Sequence, residues 1–84
     1  MTVRLLYFAD LRDAVGCPEE ALELPPEVAT VGALRAHLSG RGDPWRVFGG
    51  QEARFAVNRM LVPGDDAPVR DGDEVAVFPA LSGG

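Results

Sequence analysis

The sequence predicts an α+β domain in which a mixed sheet of about five strands packs on one main helix. Three observations carry this. The two most continuous apolar runs, Val3 to Phe8 and Glu74 to Phe78, lie near opposite ends of the chain. A single stripe at helical spacing, Val31, Leu34 and Leu38, lies between them. Turn-forming residues cut the rest into short extended pieces. With 84 residues the chain makes one domain. A domain of that size buries roughly 60–65% of its unfolded surface, enough for one modest core and no deep substrate cavity.

Val3 to Phe8 reads as a buried strand bounded by Asp10. Leu11 to Pro18 contains Gly16 and Pro18 and reads as a short turn or loop. Ala21, Leu22 and Leu24 suit a second strand, stopped by Pro25-Pro26 because proline cannot donate to a ladder. Strands so close in sequence are expected to pair as a hairpin. Thr30 is the expected N-cap of a helix from Val31 to Ser39, with Gly40 and Gly42 as stop signals. Arg41 to Glu52 reads as a loop whose Trp45 and Phe48 tuck under the core. Phe55-Ala56-Val57 reads as a third strand ending at Asn58-Arg59, and Met60-Leu61-Val62 as a short fourth. Pro63 to Asp66 and Asp71-Gly72-Asp73 carry turn chemistry. Glu74 to Phe78 is the last strand, and Pro79 ends it. Residues 1–79 thus form the domain. Residues 80–84 form a thin tail with little side chain to pack. One helix must cover one face of the sheet, because neither buries its apolar side alone. This order is that of a β-grasp domain, with the first and last strands side by side at the sheet centre.

Composition narrows the function. The formal net charge is −5, and all eight basic residues are arginine. A general nucleic-acid binder needs clustered positive charge, so no nucleic-acid partner is expected. The acidic balance suits docking onto a basic protein surface. Without lysine, the N-terminal amine is the chain's own amine nucleophile. A single cysteine excludes an internal disulfide and a cysteine-rich metal site. No run approaches the ~20 apolar residues of a membrane span, and Arg4 with its short apolar run does not read as a signal peptide. The expected compartment is the cytoplasm. There is no phosphate-binding Gly-x-x-x-x-Gly-Lys, no Gly-x-Gly-x-x-Gly and no His-Glu-x-x-His. One histidine and one cysteine leave little for a side-chain catalyst.

The chain end is the remaining candidate. A terminal Gly-Gly arises by chance in about 0.5% of chains at average usage. Alone it is weak, but directly behind a β-grasp pattern it is specific. Glycine has no Cβ, so Gly83 and Gly84 keep the tail slender. Six residues from Pro79 reach about 20 Å when extended. Such a tail can thread a narrow channel and deliver the Gly84 carboxyl to a distant site. A carboxylate is a poor acyl donor and must first be activated, for example by adenylation. No nucleotide motif is present, so a partner must supply ATP. The activated acyl group then accepts sulfur, giving a thiocarboxylate, or an amine, giving an isopeptide.

Several segments together resemble the small subunit of molybdopterin synthase, a ubiquitin-like family. They are Leu6-Tyr7-Phe8-Ala9 with Leu11-Arg12 and Gly16, Thr30-Val31-x-x-Leu34, and Ala56-Val57-Asn58. Asp71-Gly72-Asp73-Glu74-Val75-Ala76-x-Phe78-Pro79 and Ser82-Gly83-Gly84 complete the set. The family's usual end, Phe-Pro-Pro-Val-(Ser/Thr)-Gly-Gly, is departed from at Ala80 and Leu81. The resemblance implies a sulfur carrier, not an enzyme on its own, with no bound cofactor. An E1-like enzyme adenylates Gly84 with ATP, and a sulfurtransferase or persulfide converts it to the thiocarboxylate. The tail, through Pro79, Leu81 and Ser82, inserts into the synthase large subunit. Sulfur then passes to cyclic pyranopterin monophosphate in molybdenum cofactor biosynthesis. Phe8, Leu61 and Phe78 match the family's exposed docking patch, and the assembly implied is a heterotetramer.

Other readings stand beside these. Periodicity alone makes Phe8, Leu61 and Phe78 core residues, and alternation along the first strand does not say which face is inner. Cys17 lacks a clear positive neighbour other than Arg12, and His37 reads as solvated. The aspartates at 65, 66, 71 and 73 lack the spacing of a calcium loop and read as turn residues, so no metal is expected. A sulfur carrier for thiamine, cysteine or tRNA thiolation, a ubiquitin-like protein modifier and a passive binding module are the alternatives.

Overall fold

Period-two alternation sorts each strand into two faces, and one of those faces builds the core. The computed structural model describes residues 1–43, 45–49, 53–62 and 64–79. The elements run β1 (Thr2–Tyr7), α1 (Ala9–Val15), β2 (Glu19–Glu23), α2 (Val31–Ser39), a 3-10 helix (Trp45–Gly49), β3 (Ala53–Val57), β4 (Met60–Leu61) and β5 (Glu74–Pro79). The strands form one sheet in the order β2-β1-β5-β3-β4. β1 and β5 are parallel, from Arg4 opposite Glu74 to Tyr7 opposite Val77. All other pairs are antiparallel. This is the β-grasp arrangement.

Val3, Leu5 and Tyr7 of β1, Phe55 of β3, and Val75 and Val77 of β5 form the buried face. The helix α2 covers it with Val31, Leu34 and Leu38, the expected stripe. The Thr30 Oγ1 accepts the Ala33 N–H at 3.1 Å, so the cap forms as anticipated. The same helix start is held by backbone from the loop before β5. The Val31 N–H donates to Ala67 O and the Gly32 N–H to Asp65 O, both at 2.9 Å. That approach leaves no room for a side chain at Gly32, where a Cβ would stand 2.9 Å from the Asp65 Cβ.

Two segments differ from the sequence expectation. Leu11 to Pro18 is not a plain turn or loop, because Ala9–Val15 forms α1. Only Leu11 of this helix is buried, so the apolar stripe is too short to show a period. Gly16 ends it in the left-handed region at φ 79°, and its N–H bonds Arg12 O at 2.9 Å. Within the expected 41–52 loop, Trp45–Gly49 forms a 3-10 helix. Phe48 is fully buried and Trp45 partly so. Tyr7 stacks on Phe48 with centroids 5.7 Å apart, and Trp45 meets both rings edge-on. The Arg41 guanidinium lies 4.0 Å over the Trp45 ring and bonds Glu20 Oε1 at 2.6 Å. Glu20 Oε1 also accepts the Tyr7 hydroxyl at 2.9 Å.

The turn residues that flank β5 act as buckles. Asp71 Oδ1 accepts the Thr2 N–H, and Asp73 Oδ2 accepts the Arg70 N–H. Asn58 and Arg59, both at positive φ, make the two-residue turn between β3 and β4. Asn58 Oδ1 accepts the Glu74 N–H, and its amide donates to Asp73 Oδ1, each at 3.0 Å. These contacts account for aspartates 71 and 73 as structural groups.

Two outcomes are expected. Gly32→Ala forces the Asp65 loop away and costs about 1–3 kcal/mol, read by urea denaturation. Burial, aided by the Glu20 hydrogen bond, raises the Tyr7 phenol far above its ordinary value. The folded chain therefore keeps Tyr7 neutral where the unfolded chain ionises it. Its contribution is intact below about pH 10 and declines as the pH rises further. Tyr7 is the single tyrosine, so tyrosinate absorbance during an alkaline titration should appear only with unfolding.

Candidate functional site

The second face of the sheet is apolar at one end. Leu6, Ala76, Ala56 and Leu61 stand opposite one another on four successive strands, β1, β5, β3 and β4. The two alanines give the row a low floor. Beyond it, the Phe8 N–H donates to Val77 O at 3.1 Å, which carries the β1/β5 register one residue past the strand. Phe8 therefore arrives beside Phe78. Phe8, Ala9, Arg54, Leu61, Phe78 and Pro79 line a shallow concavity of about 440 Å³.

Exposure settles which face is inner. Phe8 is 46% exposed and Leu61 59% exposed, with Met60 next to it at 73%. Phe78 and Pro79 are half-buried. The core reading from periodicity fails for Phe8, because β1 turns Val3, Leu5 and Tyr7 inward instead, and for Leu61, which stands opposite Ala56 on the outer face. Ala9 adopts φ 53°, a left-handed backbone that costs a non-glycine residue about 1–2 kcal/mol. It swings the chain sharply from β1 into α1 and leaves the Phe8 ring on the rim.

Position follows from topology. Because β5 runs parallel to β1, it ends on the same side of the sheet as Phe8. Its last residue, Pro79, is a wall of the concavity and the last described residue before the 80–84 segment. Leu81, Ser82, Gly83 and Gly84, expected to carry the chemistry, lie outside the described residues. Arg54, Ala9 and the alanines of the row were not assigned to a site from sequence. The alternation Arg54, Ala56 against Phe55 carries the signal for two of them.

The remaining candidates lie apart from this site. Cys17 is half-buried beside Arg12, Asp13, Gly16 and Pro18 in a separate shallow depression. His37 is half-buried in the last turn of α2. Among the described residues no group of three or more His, Cys, Asp or Glu side chains is placed to hold a metal. No helix there is long and apolar enough to cross a membrane.

A family model described as the ThiS family matches residues 5–84. The chain belongs to the ThiS family. Among curated relatives of this family member is the molybdopterin synthase sulfur carrier subunit of Escherichia coli. It is 40% identical over 83 residues, covering 98% of this chain and 99% of the relative. The protein of the same description from Haemophilus influenzae is 36% identical with the same coverage. A solved structure, a putative molybdopterin converting factor subunit 1 from Pyrococcus furiosus, superposes with a TM-score of 0.77. It is 33% identical, covering 96% of this chain and 99% of that one.

The two faces should respond differently to truncation. Leu5→Ala is expected to cost about 2–5 kcal/mol, since it empties the core. Leu61→Ser should change stability by no more than about 0.5 kcal/mol. Chemical denaturation of the two variants checks the assignment of inner and outer faces.

Proposed function

We propose that this chain is the sulfur carrier subunit of a molybdopterin synthase, with the carboxyl of Gly84 as its working group. The observation that carries the reading is the apolar concavity of Phe8, Leu61, Phe78 and Pro79. It lies at the end of β5, where the chain leads into the Gly-Gly segment. An apolar surface next to a slender chain end suits a partner that grips the domain and admits its tail. Full-length relatives named as sulfur carrier subunits support the same reading.

Residues 1–79 serve as the grip and residues 80–84 as the delivery arm. An E1-like enzyme binds the domain through the concavity and supplies ATP. The Gly84 carboxylate attacks the α-phosphate, giving the acyl adenylate and pyrophosphate. A persulfide sulfur displaces AMP, and a thiol cleaves the resulting S–S bond to leave the thiocarboxylate. The loaded chain then docks on the synthase large subunit through Phe8, Leu61 and Phe78. Pro79, Leu81 and Ser82 line the entry path, and Gly83 keeps the last step narrow. The thiocarboxylate sulfur bonds to cyclic pyranopterin monophosphate, and water cleaves the acyl–sulfur bond, leaving sulfur on the precursor and returning the Gly84 carboxylate for another round. Two copies of each subunit make the heterotetramer. The chain itself holds no cofactor and acts in the cytoplasm.

Incubation with the activating enzyme, ATP and a sulfur source should raise the intact mass by the exchange of one oxygen for sulfur. Large subunit plus precursor should reverse the gain. Deleting Gly84 should abolish loading while leaving the denaturation midpoint unchanged. Sulfur transfer that persists without Gly84 overturns the reading, and high-mass adducts with other proteins would indicate a protein modifier instead.

A further inference from the structure

The concavity carries one charged lining residue, Arg54. In the sheet it stands opposite Phe78, one step from the pair Ala53 and Pro79. It is therefore on the apolar face and beside the start of the tail. Its side chain is exposed and, among the described residues, makes no hydrogen bond or ion pair. Five other arginines are ion-paired, and Arg12 and Arg70, which like Arg54 show no side-chain bond among the described residues, do not line the concavity. Arg4 pairs with Glu19, Arg35 with Asp65, Arg41 with Glu20, Arg46 with Asp43 and Arg59 with Glu74. In a chain with 13 acidic residues against 8 basic ones, a bare arginine on an apolar face stands out.

We propose that Arg54 is a positioning residue for docking, and that the protein partner seated on this face presents an Asp or Glu carboxylate to it. The inference rests on the function proposed above. A partner covering Phe8, Leu61 and Phe78 strips water from the guanidinium as well. Leaving that charge unpaired would cost more than the apolar contact around it returns. A carboxylate satisfies the planar fork with two parallel N–H···O bonds and fixes the rotation of the domain about its apolar contact. One negative charge balances one guanidinium. A phosphate carries more charge than a single arginine neutralises, and the net charge of −5 repels polyanions. The long-range field of the chain thus favours a basic partner, while the contact point requires an acidic group. That opposition makes the pair a register mark rather than a source of general attraction.

The test is binding of the unloaded chain to the molybdopterin synthase large subunit, by calorimetry at fixed salt. Variants are Arg54→Lys, Arg54→Ala and Arg54→Glu. All three should keep the parent circular dichroism and denaturation midpoint, because the side chain is outside the core. Arg54→Glu should weaken binding at least about tenfold, Arg54→Ala less, and Arg54→Lys least, the lysine keeping the charge but losing the fork. A single Asp→Arg or Glu→Arg change on the facing surface of the large subunit should restore the affinity of Arg54→Glu. Equal affinities across the series overturn the proposal and leave the function standing. Competition by inorganic phosphate at millimolar concentration overturns it in favour of a phosphate site. No binding by the parent chain overturns the proposed function itself, and this inference with it.

Discussion

The parallel pairing of β1 with β5 is the constraint on which the rest depends. It joins Arg4 to Glu74 and Tyr7 to Val77, residues from the two ends of the chain. Closing so long a loop is entropically costly and must be offset by what the pair buries. The compensation is the contiguous set Val3, Leu5, Tyr7, Val75 and Val77, sealed by α2. The Asp71-Gly72-Asp73 turn then fixes the register. The Gly72 N–H bonds Thr2 O at 2.7 Å and the Arg4 N–H bonds Asp73 O at 2.9 Å. Parallel strands start at the same pole, so they also finish at the same pole. That simple geometry puts Phe8, Phe78 and Pro79 together at one pole.

Much of this was legible because the core obeys a strict period. Val31, Leu34 and Leu38 announce a helix, and Thr30 announces its start, since each depends on local chemistry alone. The strands were legible from their apolar runs. The α1 helix was not, because seven residues with one buried side chain leave no repeat to detect and Gly16 and Pro18 argue for a turn. The identity of the inner face was also hidden. Leu5 and Leu6 are equally apolar, and only the position of α2 decides that Leu5 is buried while Leu6 is not. The resemblance, and not periodicity, led to the expectation that Phe8 and Leu61 are exposed. Arg54 escaped notice because its significance lies in what surrounds it across strands, which a linear reading does not display.

The apolar face is shaped as much by small residues as by large ones. Ala56 and Ala76 lie at the middle of the row from Leu6 to Leu61. A larger side chain at either position would raise the row that borders the concavity of Phe8, Phe78 and Pro79. Large rings around the concavity and small residues in the row beside it shape this face without a deep pocket, as a domain with one thin core allows.

A face this sticky carries a hazard, and the outermost strands of the sheet answer it. β2 bears Glu19, Glu20 and Glu23 along its five residues, while β4 has only two residues. A second copy laying its own β2 alongside would bring carboxylate against carboxylate, and β4 is too short to template anything. Both margins of the sheet thus discourage edge-to-edge extension, while the apolar face between them stays open.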